Sequence, residues 1–169
     1  MQRLLLIIGV CLALFIVGCG SDDSTTAGST ASTEAAAPPQ ETESTKKKTK
    51  PKVTVPKGPP PQALTTKDIE KGTGVRAEVG DVVKVNYVGV NYKTGKEFDA
   101  SWSRGEPIAF TLGAGEVIPG WDHGIEGMKV GGRRELIIPP GSAYGAAGSP
   151  PLIPPNETMV FVVDLEAVE

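Results

Sequence analysis

The sequence predicts an α+β fold, a curved antiparallel β-sheet wrapped around one short α-helix. Short β-branched runs recur between glycine- and proline-rich breaks, and a single segment carries apolar residues at helical spacing. Aromatic residues point the same way: apart from Phe15, all lie from Tyr87 onward, so a core forms only from about Ala63.

The elements follow in chain order. Asp81 to Val90 reads as a strand, with Val83, Val85 and Tyr87 on one face. Tyr92 to Lys96 is a turn, and Glu97-Phe98-Asp99-Ala100 resumes extended chain. Ile108 to Thr111 is a short strand closed by Gly113 and Gly115. The helix begins at Pro119, a residue suited to a first helical position, and places Trp121, Ile125 and Met128 on one stripe. Gly124 and Gly127 weaken it, so it must be short and held by packing; Gly131-Gly132 ends it. Arg133 to Ile138 alternates and stops at Pro139-Pro140, and Thr158 to Leu165 is the last strand. No internal repeat is present.

The chain of 169 residues divides into three parts. Residues 1–18 read as a secretory leader of lipoprotein type: Arg3, an apolar run from Leu4 to Val17, then Gly18-Cys19. The run is shorter than the ~20 residues a spanning helix needs. Ile16-Val17-Gly18-Cys19 matches a bacterial lipobox, with Ile16 where Leu is usual. Cleavage before Cys19 would leave its sulfur carrying diacylglycerol, and two or three acyl chains make a stable anchor. The expected location is therefore extracytoplasmic, on a cell membrane or outer membrane. Cys11 leaves with the leader, so no thiol remains for a disulfide or metal site. Residues 19–61 read as a disordered linker of Ser, Thr, Ala, Pro, Lys and Glu, holding the domain off the membrane. The basic run Lys46 to Lys52 within it reads as a solvated segment. Residues 62–169 form the domain, with 10 Lys+Arg against 15 Asp+Glu, a balance that argues against a nucleic-acid partner.

Five segments of the domain resemble the FKBP-type peptidyl-prolyl isomerases, the tacrolimus- and rapamycin-binding immunophilins. They are Val85 to Gly89, Gly95 to Ser101, Glu116 to Trp121, Met128 to Gly131, and Tyr144-Gly145 with Ile153-Pro154-Pro155. Their order and spacing match the family across the whole domain. The resemblance implies a proline pocket built from Tyr87, Phe98, Asp99, Phe110, Val117, Ile118, Trp121, Tyr144, Ile153 and Phe161. It implies that Asp99, Tyr144, Trp121 and Phe98 carry catalysis, with Trp121 as the floor beneath the substrate ring. The Ile118 N–H and the Tyr144 hydroxyl would bind substrate carbonyls. Two positions depart from the family: Ile108 on the rim replaces an aromatic residue, and Ser149 replaces a frequent His.

These residue types suit the reaction. Rotating an X-Pro amide meets a barrier of about 18–20 kcal/mol that arises from resonance. The twisted amide has lost that resonance and is less polar. An apolar pocket that excludes water therefore disfavours the planar state more than the twisted one. Nothing in this chemistry asks for a nucleophile, metal or cofactor. The lone histidine, His123, falls beside the helix stripe at a solvent position. Taken alone, Tyr87, Phe110 and Phe161 would serve equally as core aromatics. The expected substrates are proline-containing segments of exported proteins, handled by a monomer. The alternative is a non-catalytic module that holds proline segments in the same groove; the short loop after Tyr144 favours the isomerase.

Overall fold

The computed structural model describes residues 48–169. The leader, Cys19 and the linker up to residue 47 lie outside the described residues. Six strands form one antiparallel sheet: β1 (Thr65–Glu70), β2 (Val82–Asn91), β3 (Glu97–Ala100), β4 (Ile108–Thr111), β5 (Arg133–Ile138) and β6 (Met159–Val168). The sheet order is β1-β5-β6-β2-β3, and β4 also pairs with β2. Strands β3 and β4 use different halves of β2: Val88 to Val90 faces β3, and Val82 to Val85 faces β4. Register shifts between Lys84 and Val85, and between Gly89 and Val90, accompany the bend of this long central strand.

Side chains alternate across the sheet and give it two apolar faces. The inner face carries Val83, Val85 and Tyr87 of β2, Leu136 and Ile138 of β5, and Phe161, Val163 and Leu165 of β6. Against it lies α1 (Pro119–Ile125), a helix of 7 residues. A helix this short does not hold itself together in water, where about 12–15 residues are marginal. Burial of Trp121 and Ile125 supplies what is missing, at roughly 1.5–3 kcal/mol for a fully buried aliphatic side chain. Gly120, together with Gly124, which reads as a weakness in the sequence, lets the helix approach β5. A Cβ on Gly120 would stand 2.3 Å from Cγ2 of Ile138, and one on Gly124 2.9 Å from Leu136.

The helix ends earlier than its apolar stripe suggests. Gly127 takes a left-handed φ of +77°, so Met128 lies beyond the helix, although it is buried in the same core. Strand β6 runs on to Val168, past the expected end at Leu165. Strand β1 carries no signal in the sequence: all six of its residues are exposed, so burial imposes no alternation on Thr65-Thr66-Lys67-Asp68-Ile69-Glu70. Charges on an edge strand of this kind discourage pairing with another chain.

The expected linker boundary at residue 61 needs correction. Residues 48–61 lie along the outer face of the sheet, where Val53 and Val55 pack against Val88, Val90, Tyr92, Ala100, Ile137 and Val160. Pro51, Val53 and Val55 are half-buried while Lys52, Thr54 and Pro56 are exposed, the alternation of an extended chain with one face down. Composition averaged over the whole linker conceals two valines at this spacing.

Gly120→Ala provides a test of helix placement. Alanine favours a helix over glycine by about 1 kcal/mol, whereas forcing a methyl against the stiff, fully buried Ile138 costs about 1–3 kcal/mol. The expected outcome is a lower melting temperature by calorimetry; a higher one would mean that the helix can lift off β5 freely.

Candidate functional site

A cavity of about 430 Å³ opens between the helix and the inner face of the sheet. Trp121 is the centre of its aromatic base. Pro119 at the first helical position and the extended Ile118 before it turn the chain so that Trp121 points into the sheet. Tyr87 meets the indole edge-on at 4.9 Å between ring centroids, and Phe161 does so at 5.3 Å. Phe98 stands edge-on to Phe161 at 5.6 Å. Edge-to-face contacts of this kind hold rings in fixed orientations. Gly89 makes the arrangement possible, since a Cβ there would stand 2.7 Å from both the Phe98 and Phe161 rings.

Val117 and Ile118 line the side next to the helix, and Tyr144, 41% exposed, also lines the cavity. Asp122, buried in the first turn of the helix, accepts hydrogen bonds from the N–H groups of Gly113 (2.9 Å) and Gly115 (3.2 Å). It thereby ties the loop after β4 to the helix and fixes where Val117 begins. Two donors at the cavity are unspent. Neither the Ile118 N–H nor the Tyr144 hydroxyl has a partner among the described residues, while the Ile118 carbonyl accepts from Trp121 N at 2.8 Å.

One wall is polar. Asp99 accepts a short hydrogen bond from the Tyr87 hydroxyl and pairs with Arg104 at 2.7 Å. Arg104 also donates to the Tyr87 hydroxyl at 2.7 Å, and its guanidinium lies 5.5 Å from the centre of that ring. Burial works against the charge on Asp99, but the Tyr87 hydroxyl and Arg104 outweigh it and hold the carboxyl below its ordinary value. The same burial, with the hydrogen bond to Asp99, pushes the Tyr87 phenol up to about 12. Ser101 secures the trio from behind: its buried hydroxyl accepts from Tyr87 N at 2.9 Å and donates to Asn86 at 2.8 Å.

The structure brings together Tyr87, Phe98, Asp99, Val117, Ile118, Trp121, Tyr144 and Phe161 of the expected pocket. Phe110 and Ile153, also expected in the pocket, are less exposed to it. Both are buried in the same apolar cluster as Tyr87, Trp121 and Phe161, with the Phe110 ring 5.8 Å from that of Trp121. Ile108 and Glu116 complete the lining; the Glu116 carboxylate accepts from Thr111 N at 3.0 Å. Arg104 was not foreseen. It lies in a loop after the turn Ser101–Ser103, and nothing in the local pattern distinguishes it from an ordinary surface arginine.

Residues 74–166 match the family model of the FKBP-type peptidyl-prolyl cis-trans isomerases. An FK506-binding protein of Streptomyces anulatus is 58% identical over 120 residues, covering 70% of this chain and 97% of its own. That match is longer than the family model and takes in Val53 and Val55; it also makes the same span nearly the whole of another protein. The Saccharomyces cerevisiae peptidyl-prolyl cis-trans isomerase FPR2 is 52% identical over 95 residues, 56% of this chain and 70% of its own. The crystal structure of AtFKBP13 superposes with a TM-score of 0.60 at 39% identity, covering 65% of this chain and 96% of that one.

The Tyr87 phenol gives the site a measurable signature. The folded state keeps a proton that the unfolded chain loses near 10, so stability is level below pH 10 and falls as pH rises toward about 12. The Asp99 contribution has the opposite sense and is lost as pH drops below 3.8, its ordinary value. NMR of tyrosine ring carbons, assigned with Tyr87→Phe, should place the phenol midpoint near 12 and move it down in Asp99→Asn. A midpoint indifferent to Asp99→Asn would mean that the two groups are not coupled.

Proposed function

The chain belongs to the FKBP-type peptidyl-prolyl cis-trans isomerases, and from that premise we propose that it accelerates X-Pro rotation in exported proteins by desolvating the amide in the Trp121 cavity. The observation that carries this reading is an aromatic-based cavity with two unspent donors, the Ile118 N–H and the Tyr144 hydroxyl.

The proline ring enters over Trp121, between Tyr87, Phe98 and Phe161. Water leaves the amide as it does so. The planar amide is the more polar state and loses more hydration than the twisted one, which lowers the barrier between them. Each tenfold in rate needs only about 1.4 kcal/mol of such difference. The Ile118 N–H and Tyr144 hydroxyl hold carbonyls flanking the bond, so that one side stays fixed while the other turns. Asp99, kept ionised and oriented by Tyr87 and Arg104, is a fixed charge on the wall. FK506, the ligand in the names of several relatives, is expected to compete for this cavity; Ile108 and Ser149 are positions that would tune its affinity. The leader and Cys19 support an extracytoplasmic, lipid-anchored location, where folding exported chains are the available substrate.

The catalytic test uses the compact unit Glu41–Glu169 with a chromogenic X-Pro peptide. Acceleration blocked by FK506 is expected. Trp121→Phe should lower kcat/KM by about tenfold. Its cost in stability should be small, because the buried indole N–H has no partner among the described residues and the substitution removes it. A folded unit without acceleration would leave a proline-segment binding module as the better account. The address is tested separately: labelled palmitate should enter the full chain in bacterial cells and not its Cys19→Ala variant. Equal labelling of both would remove Cys19 as the attachment point.

A further inference from the structure

The segment from Gly113 to Pro119 borders two depressions. One is the Trp121 cavity; the other is an open groove of about 630 Å³, lined among others by Val79, Ala114, Pro119 and His123. Val117 lines both. A single half-buried valine is thus the divide between them.

The groove is held on both sides. Val79 belongs to the turn Glu78–Asp81, in which the Asp81 carboxylate accepts from Glu78 N at 2.8 Å. Two backbone bonds of 2.9 Å, from Gly80 N to the Leu112 carbonyl and from Leu112 N to the Asp81 carbonyl, pin this turn to the chain just after β4. Across the groove, the Asp122 carboxylate fastens Gly113 and Gly115 to the helix. Pro119, Asp122, His123 and Glu126 recur three and four residues apart, so one side of α1 and its end flank the groove while Trp121 leaves from another.

The surface is apolar and low where a chain would cross it. Val79 is 64% exposed in a turn, a setting where polar residues are usual. A Cβ on Gly113 would stand 2.7 Å from Cγ1 of Val79, so glycine there lets the valine lie against the loop. Gly113, Ala114 and Gly115 raise no side chain large enough to bar the way.

A polypeptide whose carbonyl is held by the Ile118 N–H continues beyond the cavity on both sides of its proline. A flank that leaves over Val117 enters the groove directly. Its contact there is intramolecular, so even a weakly binding surface is filled once the proline is seated. Building on the isomerase reading above, we propose that the groove is a second subsite for the same polypeptide, taking an apolar side chain that flanks the bound proline. Such a contact is equal for the planar and twisted amide; it lowers KM and leaves kcat alone.

The unit Glu41–Glu169, whose span makes up nearly all of a relative, is assayed without protease on a short proline peptide. Versions lengthened at one end or the other by a leucine-bearing segment are compared with it. Lengthening at one of the two ends should lower KM by about tenfold at unchanged kcat. Val79→Asp and Ala114→Asp, both outside the cavity, should cancel that gain. The short peptide should be turned over by both variants as by the parent, which also shows that the fold survives. In NMR spectra the Val79 methyl signals should shift with the lengthened peptide and stay in place with the short one. Equal KM for the short and both lengthened peptides, or a gain that survives both variants, would overturn the subsite. A folded parent that turns over neither length would sink the isomerase reading, and the subsite with it.

Discussion

A β-sheet with two apolar faces must be covered twice, and among the described residues there is one short α-helix with which to do it. The rest of the structure depends on that shortage. The helix goes to the inner face, where Gly120 and Gly124 let it press close to β5 and Trp121 reaches in among Tyr87 and Phe161. The helix is too short to fill the concave face, and the remaining space is the cavity. The outer face is closed by a proline-bearing segment with no regular secondary structure.

The polar wall follows from the same economy of space. Within an apolar cavity an isolated carboxylate would be driven to protonate; Asp99 stays ionised because Tyr87 and Arg104 both donate to it. The three groups restrain one another and also fix the Tyr87 ring, which is part of the aromatic base. Ser101 and Asp122 hold the backbone around them. Site rigidity is thus assembled from side chains on β2, β3, the following turn and the helix.

Much of this was legible in the sequence because burial writes a period into it. The first half of β2 alternates, the continuous apolar runs of β5 and β6 mark strands buried on both faces, and the helix shows its stripe. Where burial is absent the pattern is silent, as in the wholly exposed β1. Periodicity also overextended the helix: Met128 keeps the stripe because it faces the core from beyond Gly127. The resemblance brought forward the residues that line the cavity, but could not separate lining from backing. Phe110 and Ile153 are apolar and buried in the same cluster as the pocket aromatics, so each is core as much as site. Arg104 illustrates the converse. Its value lies in where a loop brings it, and a lone arginine carries no such information.

The covering segment also sets where the described residues begin. It joins the domain at Thr49, beside Arg133 and Asp164, on the face turned away from the cavity. A domain from residue 48 onward, fixed to a bead or a fusion partner through that face, would turn its cavity mouth outward. A long unfolded chain can cross the opening with both ends free and need not thread past the tether. Attachment geometry, often left to linker length, is here a property of the fold.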